Sequence, residues 1–370
     1  MNFRPRRGAA LGALCALALL VSACGGGNSN GSSAPKASGA KPSMAFVGPN
    51  GETPTAADQL SLTPEDMDKI KAGNFTAAFV WHEDSALVKA VESGARKQFE
   101  KLGIKVVATT SADFDAAKQA NNVQSVLAKN PNVIVTIAVD PTSAAAAFKP
   151  AVDKGTKLVI MTTPPKGYKA GQQMVGIVTM DLAAMGKANA EMLGKALNGK
   201  GKVGYLYHDA DFWFTNQRDK AFKDWLAYLY PDIQIVAQQG FSDPARTEDI
   251  ANAMLTQHSD LNGMYVAWAT AADGVLSALR SAGRKEVKVV TNDLEANQAA
   301  DLVKGGNMAG MVNNGSVRVG EGLATMAGYG LIGKKAPEMV VGAPKTATKD
   351  TIADAWRDDY AQDPPASVTK

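Results

Sequence analysis

The chain is nearly without cysteine and histidine. Its 370 residues include 2 Cys and 3 His. Cys15 lies inside an apolar leader and Cys24 just behind it, so removal of the leader leaves one thiol and no internal disulfide. This holds even though a leader implies export, where disulfides persist. His82, His208 and His258 are scattered along the chain. None has metal-ligand spacing, and His82-Glu83-Asp84 is too short to build a metal site alone. No serine stands on a nucleophile elbow, and no Gly-rich phosphate loop follows a strand; "GGGNSNG" (Gly25 to Gly31) precedes every strand signal. These absences argue against an enzyme, a bound metal and a cofactor.

Charge of one sign is also missing. The chain has 39 Lys+Arg against 36 Asp+Glu, but Arg4, Arg6 and Arg7 belong to the leader, and 39 − 3 = 36 balances the acids. With no basic field and no run of like charges, nucleic acid is not an expected partner.

The basic start "MNFRPRR" and the apolar run "GAALGALCALALLVSA" read as a secretory signal over residues 1–23, too short for a membrane span. The segment "LLVSACGGG" resembles the lipobox of bacterial lipoproteins, with Val21 where a Leu is usual. That resemblance implies lipidation at Cys24. Gly25 to Asn50 is mostly Gly, Ser, Ala, Asn and Pro, a composition that cannot bury enough surface to fold. Residues 24–74 are therefore expected to be a flexible tether. One short helix signal lies within it, at Thr63-Pro64-Glu65-Asp66.

From Phe75 onward short apolar runs alternate with segments of helical period. "FTAAFVW" precedes "SALVKAVESGARKQFEKLG", in which Val88, Val91, Ala95, Phe99 and Leu102 recur every three or four positions. The alternation continues through "IKVVAT", "NVIVTIAV" and "KLVIMT", and then from "VGIVTMD" through "KVGYLY", "GMYVAW" and "EVKVVTN" to "MAGMVN". Strands alternating with helices predict an α/β fold of doubly wound parallel sheets. The units are too many for one comfortable sheet, so two α/β lobes are expected. Such sheets bind ligands beyond the carboxyl ends of their strands. Those tips carry Trp81, His82 and Ser85, then Asp140, Thr162 and Thr163, and in the second half Trp213, Asn216, Arg218, Phe241, Trp268, Asp293 and Asn314. They are rich in aromatics and hydrogen-bonding groups. Asp140 could equally cap the helix behind it, Asp293 could be a turn residue, and Trp81 and Trp268 could be core.

Taken together, "SGARKQFEKLGIKVV", "NNVQSVLAKNPNVIVTIAVDPTSA", "NQRDKAF", "WATAADGVLSALRSAG", "VVTNDLEANQAADL" and "NNGSVRVGEGLATMA" resemble the sugar-binding periplasmic proteins of the ribose-binding type. These are the type I solute receptors of ATP-binding-cassette importers. The resemblance runs from Phe75 to about Gly342. It implies a clamp of two lobes joined by a three-segment hinge: residues 75–180 plus about 314–342 form one lobe, and 181–313 with part of a 343–370 tail form the other. By motif, Asp140, Arg218, Asp293 and Asn314 would bond ligand hydroxyls, with Ser85 where the family often has Asn. Trp81, Phe241 and Trp268 would cover apolar sugar faces. Of the neighbouring Phe212, Trp213 and Phe214, Trp213 is expected to see the cleft.

Thr162 and Thr163 stand where many relatives have an Asp-Arg pair. That departure points away from a standard aldopyranose, toward a smaller or differently shaped polyhydroxy ligand such as a sugar alcohol. The expected partners are a sugar or polyol and a membrane permease, with the membrane itself reached through the lipid anchor. The expected state is a monomer, exported and anchored at the outer face of the cell membrane or held in the periplasm. A receptor feeding a sensor kinase, or one for a non-sugar small molecule, would look the same in sequence. A repressor sharing the clamp would need an N-terminal helix-turn-helix, and a leader and tether stand there instead.

Overall fold

A computed structural model describes residues 40–44 and 47–369; the leader and Cys24 lie outside the described residues. The first lobe begins earlier than expected. β1 (Pro54–Ala56) and α1 (Pro64–Ala72) are part of it, although residues up to 74 read as tether. α1 starts where the sequence signals it, with Thr63 and Asp66 exchanging side-chain-to-backbone hydrogen bonds in a capping box. β1 is three residues long and has no apolar alternation. It is a strand only because it pairs along the edge of another.

The alternation then runs as β2 (Thr76–Trp81), α2 (Ala86–Lys101), β3 (Lys105–Ser111), α3 (Ala116–Leu127), β4 (Val133–Thr136), α4 (Pro141–Asp153), β5 (Lys157–Met161) and β6 (Gly176–Met180). The chain crosses to a second lobe and builds α5 (Leu182–Ala196), β7 (Lys200–His208), α6 (Trp213–Leu229), β8 (Asp232–Phe241), α7 (Thr247–Gln257), β9 (Gly263–Val266), α8 (Ala269–Ser281), β10 (Lys288–Asn292), α9 (Ala296–Val303) and β11 (Met308–Asn313). It returns as α10 (Ser316–Leu331) and β12 (Met339–Gly342). It ends back in the second lobe with β13 (Lys345–Ala347) and α11 (Ile352–Tyr360).

The first sheet has the order β1-β12-β6-β5-β4-β2-β3 and is parallel throughout. The second has the order β13-β11-β10-β9-β7-β8, with only β13 antiparallel. Central strands such as β4, β6 and β9 are buried along their whole length, as sheets covered on both faces require. α10 seals the first lobe against α2. A Cβ on Gly94 would lie 2.0 Å from the Val317 carbonyl oxygen, and one on Gly320 would lie 1.9 Å from that of Val91. Only glycine permits two helices to approach this closely.

Candidate functional site

The carboxyl ends of the two sheets face each other, and the side chains beyond them interlock. Phe212 and Phe214 of the second lobe are buried in an apolar cluster that also contains Trp81 and Val88 of the first. The His82 ring stacks 5.9 Å from Phe212, and Phe114 meets Phe212 edge-on at 6.5 Å and His208 at 6.4 Å. A cavity of about 40 Å³ remains between the lobes. His82, Glu83, Leu87 and Phe114 line it from the first lobe. His208, Phe212, Phe214, Thr215, Arg218, Trp268 and Asp293 line it from the second. A larger depression of 360 Å³ surrounds Lys157 and Lys334. It lies at the amino ends of the first sheet's strands, where doubly wound sheets do not place ligands.

Arg218 is the centre of the polar wall. It sits in the second turn of α6, is only 1% exposed, and lies 5.0 Å over the Phe214 ring. Its Nη2 donates to the Ala267 carbonyl, while Nε and Nη1 have no hydrogen-bond partner in the protein. Its countercharge is Asp219, 3.8 Å away. Asp219 accepts from the Tyr265 hydroxyl at 2.6 Å and from the His208 amide at 3.1 Å. Burial nevertheless pushes the Asp219 carboxyl up to about 6, against the pull of Arg218. Beneath this pair Asn292 donates to the Ala267 carbonyl at 2.9 Å and accepts from Asn189 at 2.8 Å, so the floor of the site is tied down.

Asp293 follows β10 with φ 69°, a left-handed conformation unusual for a non-glycine residue. It accepts from the Asn314 amide at 2.5 Å, and burial raises its carboxyl above the usual range although Arg218 acts to lower it. The Asn314 Oδ1 is buried without a partner. His208 is pushed down to about 4, chiefly by burial and then by the charge of Arg218, so it is neutral. Its Nδ1 lies 2.8 Å from the Thr215 hydroxyl, whose proton goes to the Phe212 carbonyl. The neutral ring keeps one donor and one acceptor nitrogen. The His82 Nδ1 is buried and unpartnered. Burial pushes Glu83 up, but His82, with Ser85 and His208 behind it, outweighs this, and its carboxyl ends below the usual range.

Of the residues singled out from sequence, His82, Arg218, Trp268 and Asp293 line the cavity. Asn314 stands directly behind Asp293, and Phe241 packs 4.8 Å behind Trp268. The others are placed elsewhere. Asp140 caps α4, accepting from the Ser143 amide at 2.7 Å and hydroxyl at 2.6 Å. Ser85 caps α2. Trp81 stacks on Phe79 in the core and donates its indole N–H to Glu92 at 2.7 Å. Thr162 and Thr163 are fully buried, and neither lines the cavity. Asn216 is exposed and donates to the Ala210 carbonyl at 3.0 Å. Trp213 is half-buried against the interlobe cluster without reaching the cavity, whereas its neighbours Phe212 and Phe214 do. The reason is register. α6 begins at Trp213, two residues before its sequence signal, because no capping side chain marks its start.

Sequence reasoning passed over Phe114, His208, Glu83 and Thr215. The signal for Phe114 was its place at the tip of β3. There Asp113 and Phe114 both take positive φ, 50° and 59°, a turn that projects the ring across the cleft to the opposite lobe. No group of three or more metal-ligating side chains occurs among the described residues.

Two doubly wound lobes with chain crossings between them, closed on a small, largely apolar cavity edged by Arg218 and Asp293, define a ligand-clamping α/β protein. The chain belongs to the periplasmic binding protein family: the model of the periplasmic binding protein domain matches residues 62–335. This is a family of binding proteins. The chain is similar to the D-ribose/D-allose-binding protein of Pseudomonas aeruginosa, 27% identical over 58% of this chain and 66% of that one. It is also similar to the xylitol-binding protein of Mycolicibacterium smegmatis, 26% identical over 58% and 60%. These matches thus span about two thirds or less of the relatives' length. Among solved structures, an Agrobacterium vitis transporter solute-binding protein with bound α-D-tagatopyranose superposes at a TM-score of 0.71, with 22% identity over 78% of this chain and 100% of that one. A Mycobacterium smegmatis solute-binding protein with bound glycerol does so at 0.67, with 22% identity over 75% and 94%. At these identities the structural likeness speaks for the fold.

Proposed function

We propose that this protein is the solute receptor of an ATP-binding-cassette importer and that it clamps a small sugar or sugar alcohol between its lobes. The observation that carries the ligand class is Arg218. Its Nη1, in a buried, aromatic-walled cavity, makes no hydrogen bond within the protein, and its Nε has only the distant Asp219 carboxylate at 3.8 Å; buried charged donors are costly to leave unmade. Asp293 and the neutral His208 ring belong to the same wall. A hydroxyl group accepts and donates at once, so a vicinal diol can take hydrogen bonds from Arg218 and give them to Asp293 or His208. Phe114, Phe212 and Trp268 supply the apolar faces that cover C–H groups. The names of the ribose-, allose- and xylitol-binding relatives support the same class. Delivery to a permease and anchoring through a lipidated Cys24 complete the proposal.

Thermal denaturation against a sugar and polyol library tests it. A true ligand at 100 times its dissociation constant adds about 2.7 kcal/mol. Melting shifted only by amino acids or purines, and by no polyhydroxy compound, refutes the ligand class. Radiolabelled fatty acid incorporation that Cys24→Ser leaves unchanged refutes the anchor.

A further inference from the structure

α10 starts without a cap of its own. The residue before it is Gly315, at φ 62° and ψ 47°, which has no side chain to offer. A Cβ there would lie 2.5 Å from the Arg318 guanidinium. The first amides of a helix need partners, and here the partner comes from another part of the chain. Asp359 of α11 accepts from the Ser316 amide at 2.7 Å and from its hydroxyl at 3.0 Å. A carboxylate in this place also answers the positive end of the helix. Its neighbour Asp358 takes Arg318, the Lys345 ammonium at 2.7 Å and the Asn313 amide at 3.2 Å. Asn313 donates further to the Ala355 carbonyl at 3.2 Å and accepts from the Lys345 amide at 3.0 Å.

α11 is rooted in the second lobe, where Ile352 and Ala355 are buried in its core cluster and Trp356 and Tyr360 pack against it. Ser316 and Arg318 belong to the helix that seals the first lobe. The two acids therefore bridge the lobes where the chain passes between them for the second and third times. Asn314 lies inside the clamped segment, on Asp293. We propose that Asp358 and Asp359 are positioning residues for ligand binding: they fix the 313–316 crossing and thereby hold Asn314 on Asp293 in the cavity wall. This rests on the binding reading above, but its test uses no ligand.

Amide hydrogen exchange is measured on the purified full chain, in the wild type and in Asp359→Ala, Asp359→Asn and Asp358→Ala. In Asp359→Ala the amides of 314–319 should exchange about tenfold faster, the scale of one lost helix cap, while β7 and β9 stay as in the wild type. Asp359→Asn keeps an acceptor in the same place and should stay within about threefold of the wild type. If Asp359→Ala does not fold, Asp358→Ala, altered at a more exposed carboxylate, should show the same local acceleration. Wild-type exchange at 314–319 in the alanine variants overturns the proposal. So does acceleration spread evenly over the second lobe, because that marks a residue that only holds the fold. A failed polyol screen leaves this measurement untouched.

Discussion

The two walls of the cleft use their polar strand-end residues differently. In the first lobe they serve the backbone: Ser85 and Asp140 cap helices, and Thr162 and Thr163 are enclosed. That lobe meets the cavity mainly through His82, Glu83, Leu87 and the Phe114 ring. In the second lobe the polar groups are held ready. Arg218 keeps Nε and Nη1 without a hydrogen bond inside the protein, His208 stays neutral, and Asp293 accepts from Asn314. On the proposed function, the first lobe would act as a lid and the second would carry the specificity. Residues of identical chemical type, at equivalent ends of parallel strands, do different jobs according to whether a helix start nearby claims them.

The strongest way to break this contrast is Arg218→Met, which keeps the volume and removes the donors. Two hydrogen bonds from a charged group, at about 1.5–3 kcal/mol each, predict a loss of about 3 kcal/mol or more, over 100-fold in affinity. Isothermal titration with the polyol found by thermal screening measures it, and a loss under threefold places recognition outside the second lobe.

His208 tests the second wall through pH. Its folded pKa of about 4 lies below the ordinary 6.5. Above pH 6.5 it is neutral in both states and its contribution is complete. As pH falls from 6.5 toward 4 the unfolded chain binds a proton that the folded chain refuses, and stability is lost at up to about 1.4 kcal/mol per pH unit. Asp219 at about 6 and Glu295 at about 7 work the other way, since they bind protons more readily when folded. Those groups remain in His208→Gln, so urea denaturation at pH 7 and 4.5 should show a smaller acid loss in the variant than in the wild type. Equal losses would mean that His208 is protonated in the fold.

Asp293→Asn should weaken polyol binding by about 2 kcal/mol, because an amide cannot replace a carboxylate as acceptor to a hydroxyl at full strength. Tighter binding instead would mark the natural ligand as an anion. The smallest effect belongs to the first lobe. Asp140→Ala should cost about 1 kcal/mol of stability, a lost helix cap, and leave affinity within twofold. A large loss of affinity with unchanged melting would give the first lobe a direct polar contact after all.

The repeating α/β pattern was legible because strands buried on both faces read as short apolar runs and the helices between them keep a period-3.6 apolar face. β1 was not, since an edge strand of three residues takes its conformation from its neighbour. At the cavity, the rule that ligands gather at strand ends singled out Arg218, Trp268, Asp293 and His82, which line it. The rule does not say which strand-end oxygens a following helix will claim, as at Ser85 and Asp140. It also could not rank Phe212, Trp213 and Phe214, because a helix start shifted by two residues turns each ring by about 200°.

The place of β12 has a consequence for the order of events during folding. It lies between β1 and β6 in the first sheet, yet it is made more than 150 residues after β6. Until it arrives, β1 has no strand beside it. α10, which closes on α2 through Gly94 and Gly320, is late as well. The second lobe, by contrast, draws most of its sheet from one continuous stretch, β7 to β11. The half of the molecule that is synthesised first is therefore the half that is completed last, and its slow, long-range closure waits on the final part of the chain.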